Sequence, residues 1–325
     1  MEQIHARRVG AAAIACALVL RLWSWDWQKL SVLKGNWQRL LPLAITVETG
    51  HLVRFSSSFR QVVPDFVESP GPAAETGEKP CFSPEEPLDL YDPAQIQPDL
   101  PQLLSQPLSW DLKGQVPRVL ILHTHGTESY TKAGEDYRET AAWRTDQPQY
   151  NMLSIGQEVA RLLIQAGIPA IHDRHLHDFP SYNGSYTRAR ATLKNQLEAN
   201  PGIQLVLDLH RDAAEGPGGQ MRTQAQVDGE TSAQLMLVLG TNHPYYQENL
   251  SLAAKLHLQL ERQAPGIMRP LQLRTSRFNQ DLSPGCLLVE VGAAGNTRQE
   301  ALVAARQLAQ AIIALSQGTQ ESASE

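Results

Sequence analysis

The chain has 325 residues, 42% of them hydrophobic, enough apolar material for one sizeable core with extensions or for two small domains. A formal net charge of −6 argues against a general nucleic-acid binder, which would carry a basic face. The cysteines, Cys16, Cys81 and Cys286, have no CxxC spacing, which argues against a cysteine zinc site and a disulfide framework.

The N-terminus places His5, Arg7 and Arg8 ahead of an apolar run, Val9 to Leu20. That run is about half a bilayer span. It reads as the h-region of a signal peptide, or as a short anchor extended through Arg21, Leu22 and Trp23. In the second case Arg21 snorkels and Trp23, Trp25 and Trp27 sit at the interface. No small-x-small cleavage site follows the apolar run before Trp23, which favours an uncleaved anchor over residues 1–27, with Arg7 and Arg8 inside and the rest of the chain outside. An ordinary amphipathic helix is the bland alternative. Within Gln28 to Val63, the patch Leu40 to Val47 predicts a strand or hairpin. From Pro64 to Pro107, prolines and acidic residues crowd a stretch that buries too little apolar surface to offset its ordering entropy. Residues 28–115 are therefore expected to be a linker, mostly disordered, that lets a domain reach away from a membrane.

From Val116 the pattern alternates. Short apolar runs predict strands at Val116 to Leu122, Ile168 to Ile171, Ile203 to Leu209, Gln234 to Leu239 and Cys286 to Val291. Helical spacing predicts helices at Asn151 to Ala166, Tyr186 to Ala199, Gln247 to Gln263 and Thr297 to Leu315. This alternation implies an α/β domain over residues 116–316. It would be three-layered, with a largely parallel sheet and helices on both faces, followed by a polar tail, 317–325.

Three strands end in residues suited to metal-assisted hydrolysis. One runs into His123-Thr124-His125-Gly126-Thr127-Glu128, one into Asp208-Leu209-His210-Arg211-Asp212, and one carries Glu290 within LLVEVG. In a parallel sheet all three ends share one edge, and His123 and His125 point to the same side of an extended strand. Two imidazoles, a carboxylate and water make a zinc site with an open position. A further carboxylate beside the water acts as general base. There is no HExxH helix, so the ligands must come from separate strands. The bland reading is that a histidine at a strand end is a satisfied hydrogen-bonding residue. Against it, Glu290 lies between Val289 and Val291, where a buried carboxylate is costly without a partner. The residues alone leave both readings open.

Several long motifs stand in order from Arg118 onward. They are HTHGTESY (His123 to Tyr130), YRET (Tyr137 to Thr140), YNMLSIG (Tyr150 to Gly156) and IHDRHLHDFPSYNGSYTRA (Ile171 to Ala189). They continue with DLHRDA (Asp208 to Ala213), LVLGTNHP (Leu237 to Pro244), RPLQLRTSRFNQDLSPG (Arg269 to Gly285) and VEVGAAGNTRQEA (Val289 to Ala301). Over about two hundred residues these resemble the stage II sporulation protein P family.

The resemblance implies a fold like that of the zinc N-acetylmuramoyl-L-alanine amidases, of phosphorylase/hydrolase-like type, and Zn2+ as cofactor. It implies His125 and His210 as zinc ligands and Glu290 as the catalytic residue. Many of those amidases place the third ligand just ahead of an asparagine that matches Asn151, but Thr145 to Tyr150 hold no glutamate. Glu128 takes that role instead, with Asp146 and His123 as substitutes. The activity implied is hydrolysis of septal peptidoglycan during engulfment in endospore formation, with room for an endopeptidase activity. The implied setting is a single-pass membrane protein whose catalytic domain is extracytoplasmic, in the septal intermembrane space. Stage II sporulation protein D, a lytic transglycosylase, and other engulfment membrane proteins are the implied partners.

Around this set, His123, Asp208, Arg211 and Asp212 are candidates to support the ligands. Asp208 shares a strand face with His210 and could orient its imidazole, as could Asp212; a structural Arg-Asp pair is the alternative. Arg222, Arg274 and Arg277 suit substrate carboxylates. Asn183, Asn279, Gln280, Asn296, Tyr182 and Tyr186 suit sugar or peptide groups, and each is alternatively a surface residue. His172, His175 and His177 are expected in a substrate-facing or solvated loop. Two other functions remain in view, a silent wall-binding scaffold and a zinc carboxypeptidase using the arginines.

Overall fold

The computed structural model describes residues 82–318 except 84–85, 94, 109, 132–142 and 217–218. The expected anchor, Cys16, Cys81, the patch Leu40 to Val47, the YRET motif and residues 319–325 lie outside the described residues. Among the described residues no helix is long and apolar enough to cross a membrane.

In chain order, the fold begins with a short strand, β1 (Leu90–Tyr91), and helix α1 (Leu100–Ser105). Asp99 caps α1 by accepting from the Gln102 N–H at 3.0 Å. The fully buried run Val-Leu-Ile-Leu forms β2 (Val119–Leu122). Helix α2 (Met152–Gln165) starts at Asn151, whose side chain accepts from the Leu153 N–H, and stops before Gly167 at φ +81. Then come β3 (Ala170–His172), α3 (Ser185–Ala199) and β4 (Leu205–Asp212). Two small hairpins follow, β5 (Glu215–Gly216) with β6 (Gly219–Gln220), and β7 (Gln224–Val227) with β8 (Glu230–Ala233). The chain closes with β9 (Leu235–Gly240), α4 (Tyr246–Gln263), β10 (Leu271–Arg274), a 3-10 turn at Gln280–Leu282, β11 (Cys286–Ala293) and α5 (Arg298–Gly318).

Seven strands make one sheet in the order β1-β10-β9-β11-β4-β2-β3. Every pairing is parallel except β11 with β9. The expected largely parallel sheet is thus a mixed one, with two parallel groups meeting at an antiparallel seam. The connection after β4 explains the seam. A parallel return needs a crossover of a dozen or more residues, usually a helix, but between Asp212 and Leu235 the described residues form hairpins and no helix. The chain enters β9 from the edge at which β4 ended and runs back.

Alternation along the strands separates two cores. Val119, Ile121, Leu205, Leu207, Leu209, Val289 and Val291 pack with α2, α4 and α5. Leu120, Leu122, Val206 and Cys286 pack with Ala189 and Leu193 of α3. Helices therefore cover both faces, giving the three layers.

The expected linker differs from its description. From Phe82 it belongs to the fold: Phe82, Leu90, Ile96, Leu100 and Leu108 pack against the main core, β1 pairs with β10, and Leu104 of α1 meets Ala254 and Leu258 of α4. Apolar residues placed between the prolines supply burial, and the prolines lower the entropy lost on ordering.

Candidate active site

The site is built at the shared carboxyl edge of β2, β4 and β11, on the sheet face that carries α3. Register sets Leu288 opposite Asp208 and Glu290 opposite His210, so Asp208, His210 and Glu290 share that face. The neighbours Val289 and Val291 go into the opposite core. Strand alternation is therefore what puts a carboxylate inside an apolar run.

β2 ends at Leu122 and the chain turns. The Thr124 N–H donates to Asp208 Oδ1 at 2.8 Å and its hydroxyl to Oδ2 at 2.6 Å, which fastens the turn to β4. His125 then lies against the site. Its ring stacks on Tyr182 (centroids 4.6 Å apart, planes 12° apart) and meets His210 edge-on at 5.2 Å. Glu128 Oε2 lies 3.7 Å from His210 Nδ1 and accepts from the Arg211 N–H at 3.1 Å. His125, Glu128, His210 and Glu290 are thus brought together.

The electrostatics are those of a compressed charge cluster. Burial lowers the His125 pKa to about 3, helped by His210 and Arg144. Burial also works against charge on His210, but Asp208, Glu128 and Glu290 outweigh it and raise the pKa to about 10. Burial raises Glu290 to about 8; His210 opposes the rise, while Glu128 and Asp212 add to it. His125 Nδ1, His210 Nε2 and Glu290 Oε2 are buried without a hydrogen-bond partner among the described residues. His210 Nε2 is 3.1 Å from Asp208 Oδ1, but not in hydrogen-bond alignment. Among the described residues no three such side chains converge into a ready-made metal cluster. The donor set nevertheless fits a divalent cation: two imidazoles beside carboxylates, with His125 Nδ1 and Glu290 Oε2 unpartnered, match a zinc site's ligand chemistry.

Other expected residues fall elsewhere. His123 does not share His125's surroundings, because the strand ends between them. It faces α2, where its Nδ1–H donates to Leu209 O at 3.1 Å and its Nε2 meets His172 Nε2 at 2.9 Å. With both nitrogens engaged, it is no substitute ligand. Asp146 is exposed ahead of α2. Asp208 lies beside His210 and accepts from Thr124, whereas Asp212 turns away to Arg269 at 2.8 Å. Arg211 serves Glu128 through its backbone N–H and through Nη1, 4.0 Å from Oε1, while its guanidinium also donates to Ser129 O and Trp143 O.

Of the expected substrate residues, Tyr182 and Tyr186 meet the His125 ring, and the arginines and amides do not gather there. Arg222 pairs with Glu300. Arg274 ends β10, level with Gly240, on the edge opposite the site because that strand runs the other way. Arg277 is exposed in the following loop. Asn279 donates to Tyr186 O at 3.0 Å, and exposed Asn183 accepts from Arg188 through its carbonyl. Asn296 and Gln280 are buried and bond to backbone. Of the three histidines in the HDRHLHD segment, only His175 is exposed. His172 meets His123, and His177 is buried, bonding to His123 O at 2.8 Å and to Thr192. Sequence reasoning missed Arg144, Thr127 and Asp178. Asp178 accepts from the Thr127 N–H and hydroxyl and from Arg144. No local pattern pairs positions this far apart.

The profile of the family described as Stage II sporulation protein P (SpoIIP) matches residues 72–313. The chain is 29% identical over 193 residues to stage II sporulation protein P of Bacillus subtilis (strain 168), which covers 56% of this chain and 47% of that protein. It thus spans about half the length of that curated relative. Among solved structures, N-acetylmuramoyl-L-alanine amidase AmiC2 of Nostoc punctiforme aligns at 16% identity and a TM-score of 0.36, covering 66% of this chain and 99% of that one. The amidase Ami1 of Mycobacterium smegmatis aligns at 16% and 0.38, covering 66% and 100%. The CwlD amidase of Clostridioides difficile, solved with the GerS lipoprotein, aligns at 15% and 0.36, covering 64% and 98%.

Proposed function

The chain belongs to the stage II sporulation protein P family, and on that premise we propose that it is a zinc-dependent peptidoglycan hydrolase. The bond cleaved is the amide between the lactyl group of N-acetylmuramic acid and the first alanine of the stem peptide. The observation that carries this reading is the meeting of His125, Glu128, His210 and Glu290 at one sheet edge, with buried polar atoms left unpaired.

His125, His210 and Glu128 would hold the zinc ion. When bound, zinc supplies a Lewis acid that polarises the scissile carbonyl and acidifies water. Glu290 takes the water proton and returns it to the leaving nitrogen; burial, which raises its proton affinity, suits both halves of that task. Asp208 fastens the turn before His125 through Thr124, and the Arg211 N–H fixes one oxygen of Glu128. The N-terminal segment would tether this domain outside the membrane, where it works on septal wall beside the glycan-cutting stage II sporulation protein D. An endopeptidase cut within the cross-links is compatible with the same residues. The carboxypeptidase reading lacks comparable support, since the arginines it needs do not gather at the cluster.

The test is digestion of purified peptidoglycan by the full chain, with mass analysis of the products. Stem peptides with a free L-alanine amine are expected. Glu290→Gln should bind zinc yet lose about 10²–10⁴-fold in rate. Undiminished muropeptide release by that variant would sink the assignment.

A further inference from the structure

One guanidinium touches both branches of the candidate ligand set. Arg144 Nη1 donates to Asp178 Oδ2 at 2.7 Å, and Nη2 lies 3.4 Å from Glu128 Oε1. The centre of the same group sits 4.6 Å over the Tyr182 ring. The Tyr182 ring in turn stacks on His125. Arg144 therefore reaches Glu128 directly and His125 through one intervening ring.

The surroundings hold this arrangement from both sides. The Asp178 side chain is fully buried and takes the Thr127 N–H and hydroxyl besides Arg144, so it cannot shift without losing several bonds. The Thr145 N–H donates to Thr127 O at 2.8 Å, and Arg144 bridges Glu128 across the backbone. Only arginine fits the position. A planar fork bonds in its plane and stacks through its face, whereas an ammonium does one or the other.

We propose that Arg144 is a positioning residue that sets Glu128 and His125 for a single metal ion, acting on Glu128 by ion pairing and on His125 through the Tyr182 stack. It rests on the zinc reading above. Loss of such supporting partners weakens metal binding by about 10–100-fold.

The test is zinc affinity of the full chain, read by competition with a chromophoric chelator, with thermal unfolding of the metal-free proteins alongside. Arg144→Gln and Arg144→Lys should both weaken zinc binding by about 10-fold or more. Tyr182→Ala should also weaken it, and Tyr182→Phe, which keeps the ring, should restore it. Tyr182 is 54% exposed, so its two variants carry the test if the arginine variants do not fold. Wild-type affinity in Arg144→Gln or, where the arginine variants do not fold, in Tyr182→Ala overturns this inference alone. A wild-type chain that takes up no zinc overturns it together with the zinc reading.

Discussion

His123 and His125 stand two positions apart and have opposite surroundings. His125 faces His210 and two tyrosines on the α3 side of the sheet. His123 faces α2 and shares a hydrogen bond with His172. Because Leu209 O accepts from His123 Nδ1, the second nitrogen of a neutral His123 must accept, and His172 donates to it. Burial lowers His123 to about 4 and His172 to about 3, so both are neutral near pH 7. Their unfolded pKa values are near 6.5, so the unfolded chain binds more protons below that pH. The stability this pair supplies is complete above about pH 6.5 and is lost as pH falls toward the folded values. One such imidazole gives a slope of up to about 1.4 kcal/mol per pH unit. His172→Asn should flatten the decline of the urea midpoint between pH 6.5 and 4. An unchanged slope would exclude His172 as a source of acid sensitivity.

Helix α2 makes room for this pair at Gly156. A methyl group there would lie 2.5 Å from His123 Nε2 and 2.6 Å from His172 Nε2. Alanine gains up to about 1 kcal/mol over glycine in helix propensity, but overpacking a filled core costs about 1–3 kcal/mol. The clash is expected to win, because the two rings are fixed by Leu209 O and by each other. Gly156→Ala should lower the urea midpoint; a stabilised variant would show that the rings can move aside. One small element carried a signal that the sequence reading passed over. Asp228-Gly229 carries positive φ at both positions, 50° and 83°, the two-residue turn that an Asp-Gly pair favours. That pair joins β7 to β8 and was a hairpin signal in plain view.

For the molecule as a whole, the sheet seam and the early start of the domain matter most. Contacts divide the chain between Ala74 and Glu75, and β1, α1 and Trp110 belong to the later unit's core. A chain beginning at residue 116 would strip β10 of its edge partner and uncover the α4 surface held by Leu104. A chain beginning at residue 75 should unfold in one cooperative transition. The shorter chain should aggregate or unfold at a markedly lower denaturant concentration. Equal midpoints for the two would place the boundary back at residue 116.

Helices α2 to α5 and strands β2, β4, β9 and β11 were readable because each carries enough periodic apolar residues to state its own period. Polar groups ending or interrupting buried strands made His123 to Glu128, Asp208 to Asp212 and Glu290 stand out as candidates, and the choice of His125, His210 and Glu290 among them came from the family resemblance. What local pattern could not carry was any relation between distant positions. Whether β9 ran with or against β11 depended on the return path after β4, and Arg274 moved to the far edge with that choice. The fates of His123 and Asp212 depended on which neighbours the turns presented. Arg144 has no local signal at all: its role arises only where folding sets its one planar group against Asp178, Glu128 and Tyr182 together.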